Sequence, residues 1–220
     1  MFIGHFAVAL AAKRVAPKTS LGTLVLASQF VDLLWPILLL LGWEQMRIEP
    51  GITTVTPIDF THYPISHSLL AVLLWAGLLG GVYYAVRRSP RGAITVGALV
   101  LSHWFLDLLV HRPDLPLWPG SEVRVGLGIW NSLAGTLLLE LGFFAIGVAI
   151  YLRTTKRKDA VGLYGFWGFV VVLLGIYAAN LLGPPPPGQD AIAIAGNASW
   201  LFVLWAWWID RHRTVHMLPH

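Results

Sequence analysis

Residues 66–86 read SHSLLAVLLWAGLLGGVYYAV, and no Asp, Glu, Lys or Arg interrupts them. A helix rises about 1.5 Å per residue, so this run is long enough to cross the roughly 30 Å hydrocarbon core of a bilayer. Further apolar runs of similar length lie at about 20–42, 92–110, 126–152, 161–182 and 191–209. The sequence therefore predicts an all-α, polytopic transmembrane helical bundle with about six spans.

The composition excludes a water-soluble enzyme and a disordered chain. Hydrophobic residues make up 56% of the 220 residues and charged residues only 12%, about half the charged fraction of an ordinary soluble domain. The chain contains no Cys, which excludes disulfides and thiolate metal ligands. Any metal must therefore be bound by His and carboxylate side chains. No domain boundary is visible, so we expect a single integral membrane domain over residues 1–220.

Most Lys and Arg residues fall in every second connection between the predicted spans. This distribution is typical of the positive-inside pattern, which places these connections and the C-terminus in the cytoplasm. The net charge of +4 therefore indicates orientation in the membrane and does not indicate a nucleic-acid partner. The basic groups lie at residues 13–18, 87–91, 153–158 and 211–213.

Residues 2–12 form a shorter apolar run that cannot cross a bilayer. We expect a half-membrane helix that packs against the six spans. With the orientation above, its His5 lies at the depth of the other ionisable residues inside the spans. These acids and five of the eight His converge on the non-cytoplasmic half of the bundle; they are Asp32, Asp107, Glu140, His5, His62, His67, His103 and His111.

The helix predicted at 92–110 carries the most specific signal. His103, Asp107 and His111 are spaced four residues apart and lie along one helical face. His and Asp at this spacing can bind one cation, whose charge also stabilises the buried carboxylate. A His at a helix end, with an Asp hydrogen-bonded to a neighbour, would produce the same pattern.

The string His62-Tyr-Pro-Ile-Ser-His67 precedes another span. We expect Ser66 to cap that span, with His67 in its first turn, although a capped loop has the same signature.

Arg112 is a candidate phosphate clamp or an interface anchor. Asp32 or Glu140 is a candidate to accept a proton from water, and Glu140 is alternatively a metal ligand, a partner of a His, or a residue bonded to a helix backbone. The remaining His212, His216 and His220 lie in the predicted cytoplasmic tail, where we expect solvated side chains.

These motifs resemble a family of bacterial inner-membrane, membrane-bound metal-dependent hydrolases, one of them induced in the DNA-damage response. The resemblance covers about residues 4–119 and rests on Gly4-His5, Asp32-Leu-Leu-Trp-Pro36, His62 to Leu70, and Ser102 to Asp107 with Leu117-Trp118-Pro119. The ligand order is also similar to that of zinc-dependent phospholipase C and P1 nuclease. The chain departs from both patterns, because Asp32-Leu-Leu-Trp replaces Asp-x-Asp-His and only Glu140 stands near the place of a later His-x3-Glu.

The residues and the resemblance together predict a hydrolase that uses one to three zinc ions, or another divalent metal, on a phosphoester of a membrane lipid. The expected site faces the periplasm from the inner membrane and occupies about residues 1–145, with additional helices at about 146–210. Its ligands are His5, Asp32, His67, His103 and Asp107, followed by His62 and His111. Two alternatives remain. A metal or proton transporter would continue the polar path towards the cytoplasm, and a non-catalytic protein with a structural metal site would close the coordination shell.

Overall fold

The computed structural model describes residues 1–216 of the chain, so His220 lies outside the described residues. Six helical segments in this range are long and apolar enough to cross a membrane, which confirms the predicted all-α polytopic bundle. The helices are α1 (Ile3–Val15), α2 (Leu21–Leu40), α3 (Pro64–His67), α4 (Leu69–Arg87), α5 (Pro90–Val110), α6 (Leu133–Thr154), α7 (Ala160–Leu182), α8 (Gln189–Asn197) and α9 (Trp200–Arg211). The first five segments are α2, α4, α5, α6 and α7, and α8 with α9 forms the sixth.

Each of the five continuous spans begins at a polar N-cap. The cap side chain accepts a hydrogen bond from the backbone N–H three residues further on, which satisfies one of the unpaired donors of the first turn. The caps are Ser20, Ser68, Ser89, Ser132 and Asp159.

Three boundaries differ from the sequence prediction. The run at 126–152 begins as a loop, because Gly128 adopts a φ of 72° and α6 starts only at Leu133. The predicted span at 191–209 is divided into α8 and α9. Ser66 does not cap a span: Pro64 starts the short helix α3, and Ser68 caps α4.

Helix α1 is the predicted short N-terminal helix, and the spans enclose it. It packs against α2, α5, α6 and α7, and its Ile3, Phe6 and Leu10 are fully buried in the central core. Gly147 of α6 lies directly against the backbone of Ala7, so a side chain at this position would collide with α1. The close contact fixes α1, and therefore His5, against the bundle.

The two ends of the bundle carry different connections. At the end with the Lys and Arg clusters, which we call the basic end, β5 (Thr155–Arg157) pairs antiparallel with β6 (Arg213–Val215). At the opposite end, which we call the loop end, β1 (Gln45–Ile48) pairs with β2 (Ile58–His62), and β3 (Leu115–Pro116) pairs with β4 (Arg124–Val125). Buried Trp35, Phe60 and Tyr63 pack beneath these loops. Which end faces the cytoplasm stays a prediction.

Candidate metal centre

Five predicted ligands meet in the loop-end half of the bundle, although four separate helices supply them. His5 comes from α1, Asp32 from α2, His67 from α3, and both His103 and Asp107 from α5. Their donor atoms form two overlapping groups of three with metal-binding spacing, one of His5, His103 and Asp107 and the other of Asp32, His67 and His103. His103 belongs to both groups and is therefore the centre of the cluster.

The distances between donor atoms fit a small divalent cation. His103 Nε2 lies 3.5 Å from Asp32 Oδ1 and 3.2 Å from Asp107 Oδ2, and His67 Nε2 lies 3.6 Å and 3.9 Å from the same two oxygens. Donors about 2.1 Å from a tetrahedral zinc are about 3.4 Å apart. His103 Nε2 is also buried without a hydrogen-bond partner among the described residues. A metal ion would satisfy this nitrogen.

His5 approaches the other oxygen of Asp107. Its Nε2 lies 3.1 Å from Asp107 Oδ1, and its ring stacks on that of His103 with centroids 3.7 Å apart. The α-amino group of Met1 contacts the same oxygen at 2.5 Å. His5 Nδ1 is buried without a hydrogen-bond partner in the described part of the chain. Asp107 therefore presents one oxygen to each side of the cluster.

A backbone carbonyl fixes the orientation of His103. Its Nδ1 lies 2.8 Å from the carbonyl oxygen of Ser28. Because a carbonyl oxygen only accepts, Nδ1 must carry the proton and donate it. The lone pair of Nε2 then faces Asp32 and Asp107, which is the form in which a His binds a metal.

A buried carboxylate fixes His67 in a similar way. Glu44 Oε2 accepts a hydrogen bond of 2.5 Å from the Ser66 hydroxyl, whose oxygen lies 2.6 Å from His67 Nδ1. Glu44 Oε1 also accepts from the backbone N–H groups of Ile65 and Ser66 at 2.7 and 2.8 Å. Since the Ser66 proton points to Glu44, its oxygen accepts the Nδ1 proton of His67 and leaves Nε2 for a metal. Sequence reasoning missed Glu44, because it lies 22 residues before Ser66 and carries no local motif.

Glu140 has a structural contact instead of a place in either ligand group. Its Oε2 accepts hydrogen bonds from the backbone N–H groups of Phe2 and Gly4 at 2.9 and 3.4 Å. Glu140 therefore stabilises the first turn of α1 from α6, which corresponds to the backbone-bonded alternative of the sequence analysis. His62, another predicted ligand, is exposed at the end of β2 and belongs to neither group.

His111 and Arg112 join a neighbouring polar network. His111 Nδ1 lies 2.9 Å from Asp114 Oδ1, and Arg112 forms ion pairs with Asp114 and with Asp59. Arg112 is therefore paired with two carboxylates, and its role as a phosphate clamp stays a prediction. The Tyr63 hydroxyl donates to Asp114 at 3.0 Å, and burial, reinforced by the Asp114 charge, raises the pKa of Tyr63 well above its ordinary value. Sequence reasoning missed Asp114, although its position three residues after His111 could have indicated this contact.

The cluster opens into a cavity of about 550 Å³ at the loop-end half of the bundle. Asp32, His67, Asp107 and His111 line its polar side, and Trp35 and Trp130 are among its apolar lining residues. Within the cluster, the Asp32 side chain is 33% exposed, whereas the other side chains are at most 3% exposed. Asp32 is therefore the member with the most access to a molecule in the cavity.

The sequence profile of the YdjM inner membrane protein family matches residues 1–182. The chain belongs to this family. The range matched by the YdjM profile contains every residue of the candidate metal centre and ends at the last residue of α7. No curated protein and no solved structure matches the chain. Membership of the YdjM family, together with the six candidate spans, confirms a multi-pass inner-membrane protein, and the resemblance to metal-dependent hydrolases and to phospholipase C stays a prediction.

Proposed function

We propose that the chain is a metal-dependent hydrolase that cleaves a phosphoester of a membrane lipid. The observation that supports this proposal best is the position of the His and Asp cluster beside a cavity of about 550 Å³. A metal that only stabilises the fold needs no such access, because a structural site keeps a closed coordination shell. An open, partly polar cavity with convergent ionisable groups is typical of a ligand site.

The donor set favours zinc, which binds imidazole and carboxylate groups in sites of this size. Asp32, His67, His103 and Asp107 would bind the ion, with His5 beside them. When bound, zinc supplies a Lewis acid for a phosphoryl oxygen and lowers the pKa of a ligand water towards 7. Because His103 belongs to both groups and its Nε2 has one lone pair, the two groups would be alternative sites for a single ion at His103.

The chain's own residues orient this site and handle protons. The Ser28 carbonyl and the Ser66 hydroxyl hold the Nδ1 protons of the two His donors, so both rings present a lone pair to the centre. Asp32 is the carboxylate with access to the cavity. Its Oδ1 faces the two His donors, and we assign to its other oxygen the acceptance of a proton from water. His111 also lines the cavity, with its Nδ1 bonded to Asp114. Its Nε2 is the nitrogen that can contact the leaving group.

The cavity walls support a lipid substrate. Away from the metal centre they include apolar residues of α7 and α8, among them Ile176 and Ile192. Ile176 is 36% exposed, so an apolar part of this wall is accessible to a hydrocarbon chain. A phosphoester at the polar side would place its hydrocarbon chain against these residues, where burial of apolar surface favours binding.

Turnover of defined lipids tests the proposal. The purified full chain would be treated with a chelator, reloaded with zinc, and incubated in nanodiscs with phosphomonoester, phosphodiester and diphosphate lipids. We expect zinc-dependent release of phosphate or headgroup, measured by mass spectrometry. The variants Asp32→Asn and His103→Ala should lose this activity, whereas His216→Ala, a His near the basic end, should retain it.

Two outcomes would reject hydrolysis. If fully loaded protein is stabilised by zinc but cleaves none of these lipids, the site is structural. If zinc instead crosses the membrane of vesicles that contain the protein, the centre belongs to a transport path. Retained cleavage in His103→Ala would show that the activity comes from another site.

A further inference from the structure

A second groove lies at the basic end of the bundle, away from the metal centre. Its volume is about 860 Å³, and residues of α2, α4 and α9 line it, with Val96 contributed by α5. Its mouth carries three cations, Lys18, Arg87 and Arg211. Lys18 precedes α2, whereas Arg87 and Arg211 are the last residues of α4 and α9. The groove therefore combines a basic mouth with walls formed by membrane-spanning helices.

The mouth has a net positive charge. The one acidic residue that lines it, Asp210, is paired with the buried Lys13 at 2.6 Å. Within residues 1–216, no ion pair joins Lys18, Arg87 or Arg211 to a carboxylate. Three cations at one opening are thus available for an anion from outside the chain.

The rest of the groove is apolar. Leu26 and Phe30 of α2 and Leu78 and Val82 of α4 line it. Leu78 and Val82 are 52% and 55% exposed, so no other part of the described chain covers them. From Ser20 to Phe30, α2 rises about 15 Å, which is roughly half of the hydrocarbon core and therefore the depth of one leaflet.

We propose that this groove binds one anionic phospholipid from the leaflet at the basic end. Its phosphate would contact Lys18, Arg87 and Arg211, and one acyl chain would lie between α4 and α9 along α2. A phospholipid is the molecule that matches an anion-binding mouth joined to an apolar channel one leaflet deep. Basic pockets between helices on the cytoplasmic side recognise lipid headgroups in this way. The proposal does not depend on the hydrolase, because the two sites lie in opposite halves of the bundle.

Native mass spectrometry of the full chain in a neutral detergent tests the site. Dioleoyl phosphatidylglycerol and dioleoyl phosphatidylcholine would be titrated separately. We expect one phosphatidylglycerol molecule to remain bound at concentrations at which phosphatidylcholine does not. At about fivefold per basic side chain near an anionic headgroup, the combined variant Lys18→Gln, Arg87→Gln, Arg211→Gln should bind about 100-fold more weakly.

A matched control removes three exposed cations from the same end but outside the groove. The combined variant Arg14→Gln, Arg91→Gln, Arg157→Gln has the same net charge as the test variant and should bind the lipid as tightly as the wild type. Equal losses in both variants would indicate a general electrostatic effect and would overturn the proposal. Equal binding of the two lipids would also overturn it.

A third variant tests the apolar part of the groove. Val82→Trp fills the channel while the three cations remain, and it should weaken phosphatidylglycerol binding at least tenfold. Glycerophosphoglycerol, which lacks acyl chains, should not displace the lipid. Displacement by this soluble headgroup would indicate an anion site without lipid recognition, and a dimer without bound lipid would assign the groove to a second copy of the chain. Either result would overturn the proposal.

Discussion

Replacing Glu44 by Gln should weaken metal binding, although Glu44 itself does not reach the metal centre. The carboxylate accepts three hydrogen bonds, from two backbone N–H groups and from the Ser66 hydroxyl. A Gln side chain has one oxygen and one NH2 group, so it cannot accept on both sides. When its oxygen accepts the two backbone N–H groups, its NH2 group faces Ser66 and donates where Glu44 accepted.

This reversal changes the proton position on His67. With Gln at position 44, the Ser66 oxygen accepts from the amide and its hydroxyl proton can point to His67 Nδ1, 2.6 Å away. That contact favours the tautomer with a proton on Nε2, the nitrogen that faces Asp32. Loss of an outer partner of this kind lowers metal affinity about 10- to 100-fold, or about 1.4–2.7 kcal/mol.

Competition with a chromophoric chelator would measure the zinc affinity of the purified protein in detergent at pH 7. Glu49→Gln is the matched control, because Glu49 is exposed and lies only five residues further along the same connection. Ser66→Ala should reduce the affinity to a similar extent as Glu44→Gln. If Glu44→Gln binds zinc within twofold of the wild type while remaining folded, the assignment of Glu44 as the residue that orients His67 is wrong.

Three other changes test the site and its support. Asp107→Asn should lower zinc affinity by more than about 100-fold in the same chelator assay, because it replaces one oxygen of a proposed direct donor with NH2 and removes its negative charge. Gly147→Val should lower the thermal midpoint, with overpacking costing about 1–3 kcal/mol, whereas Gly142→Val on the same helix meets open space and should not. At the basic end, the hydrogen bond with His212 lowers the pKa of Asp159. The contribution of Asp159 to stability is therefore present above the carboxyl pKa of the unfolded chain. It is lost as the pH falls through the lower pKa that Asp159 has in the folded protein. A pH series of thermal midpoints should therefore show a smaller acid-side decrease for Asp159→Ala than for the wild type, and parallel curves would contradict this.

The spans were predictable from the sequence because a bilayer requires long apolar helices, and this requirement does not depend on tertiary contacts. His103 and Asp107 were predictable for a similar reason, since a spacing of four residues places both on one helical face. His111 shows the limit of the spacing argument. It is the C-cap of α5 and lines the same cavity, but its Nδ1 pairs with Asp114 and it belongs to neither ligand group.

The contacts that orient the centre could not be predicted from local patterns. Glu44 and Ser66 meet only because β1 and β2 bring the end of α2 beside α3. Glu140 was visible as a buried acid, but its contact with the first turn of α1 depends on the packing of two helices that are distant in the sequence. Contacts of this kind, made by residues outside the donor set, depend on how distant segments pack together. The spacing of the donor residues, in contrast, is visible in the sequence.

The arrangement of the donors would link binding of a metal ion to assembly of the bundle. The donors come from α1, α2, α3 and α5, so no pair of neighbouring spans can form the complete cluster. Helix α1 has 13 residues, too few to cross a membrane, yet it supplies His5 and its first turn is bonded to Glu140. A metal ion bound between these helices would favour the assembled state over partly docked states, because the complete donor set exists only in the former. Asp107 joins the two sides of the cluster, because its Oδ1 faces His5 of α1 and its Oδ2 faces His103.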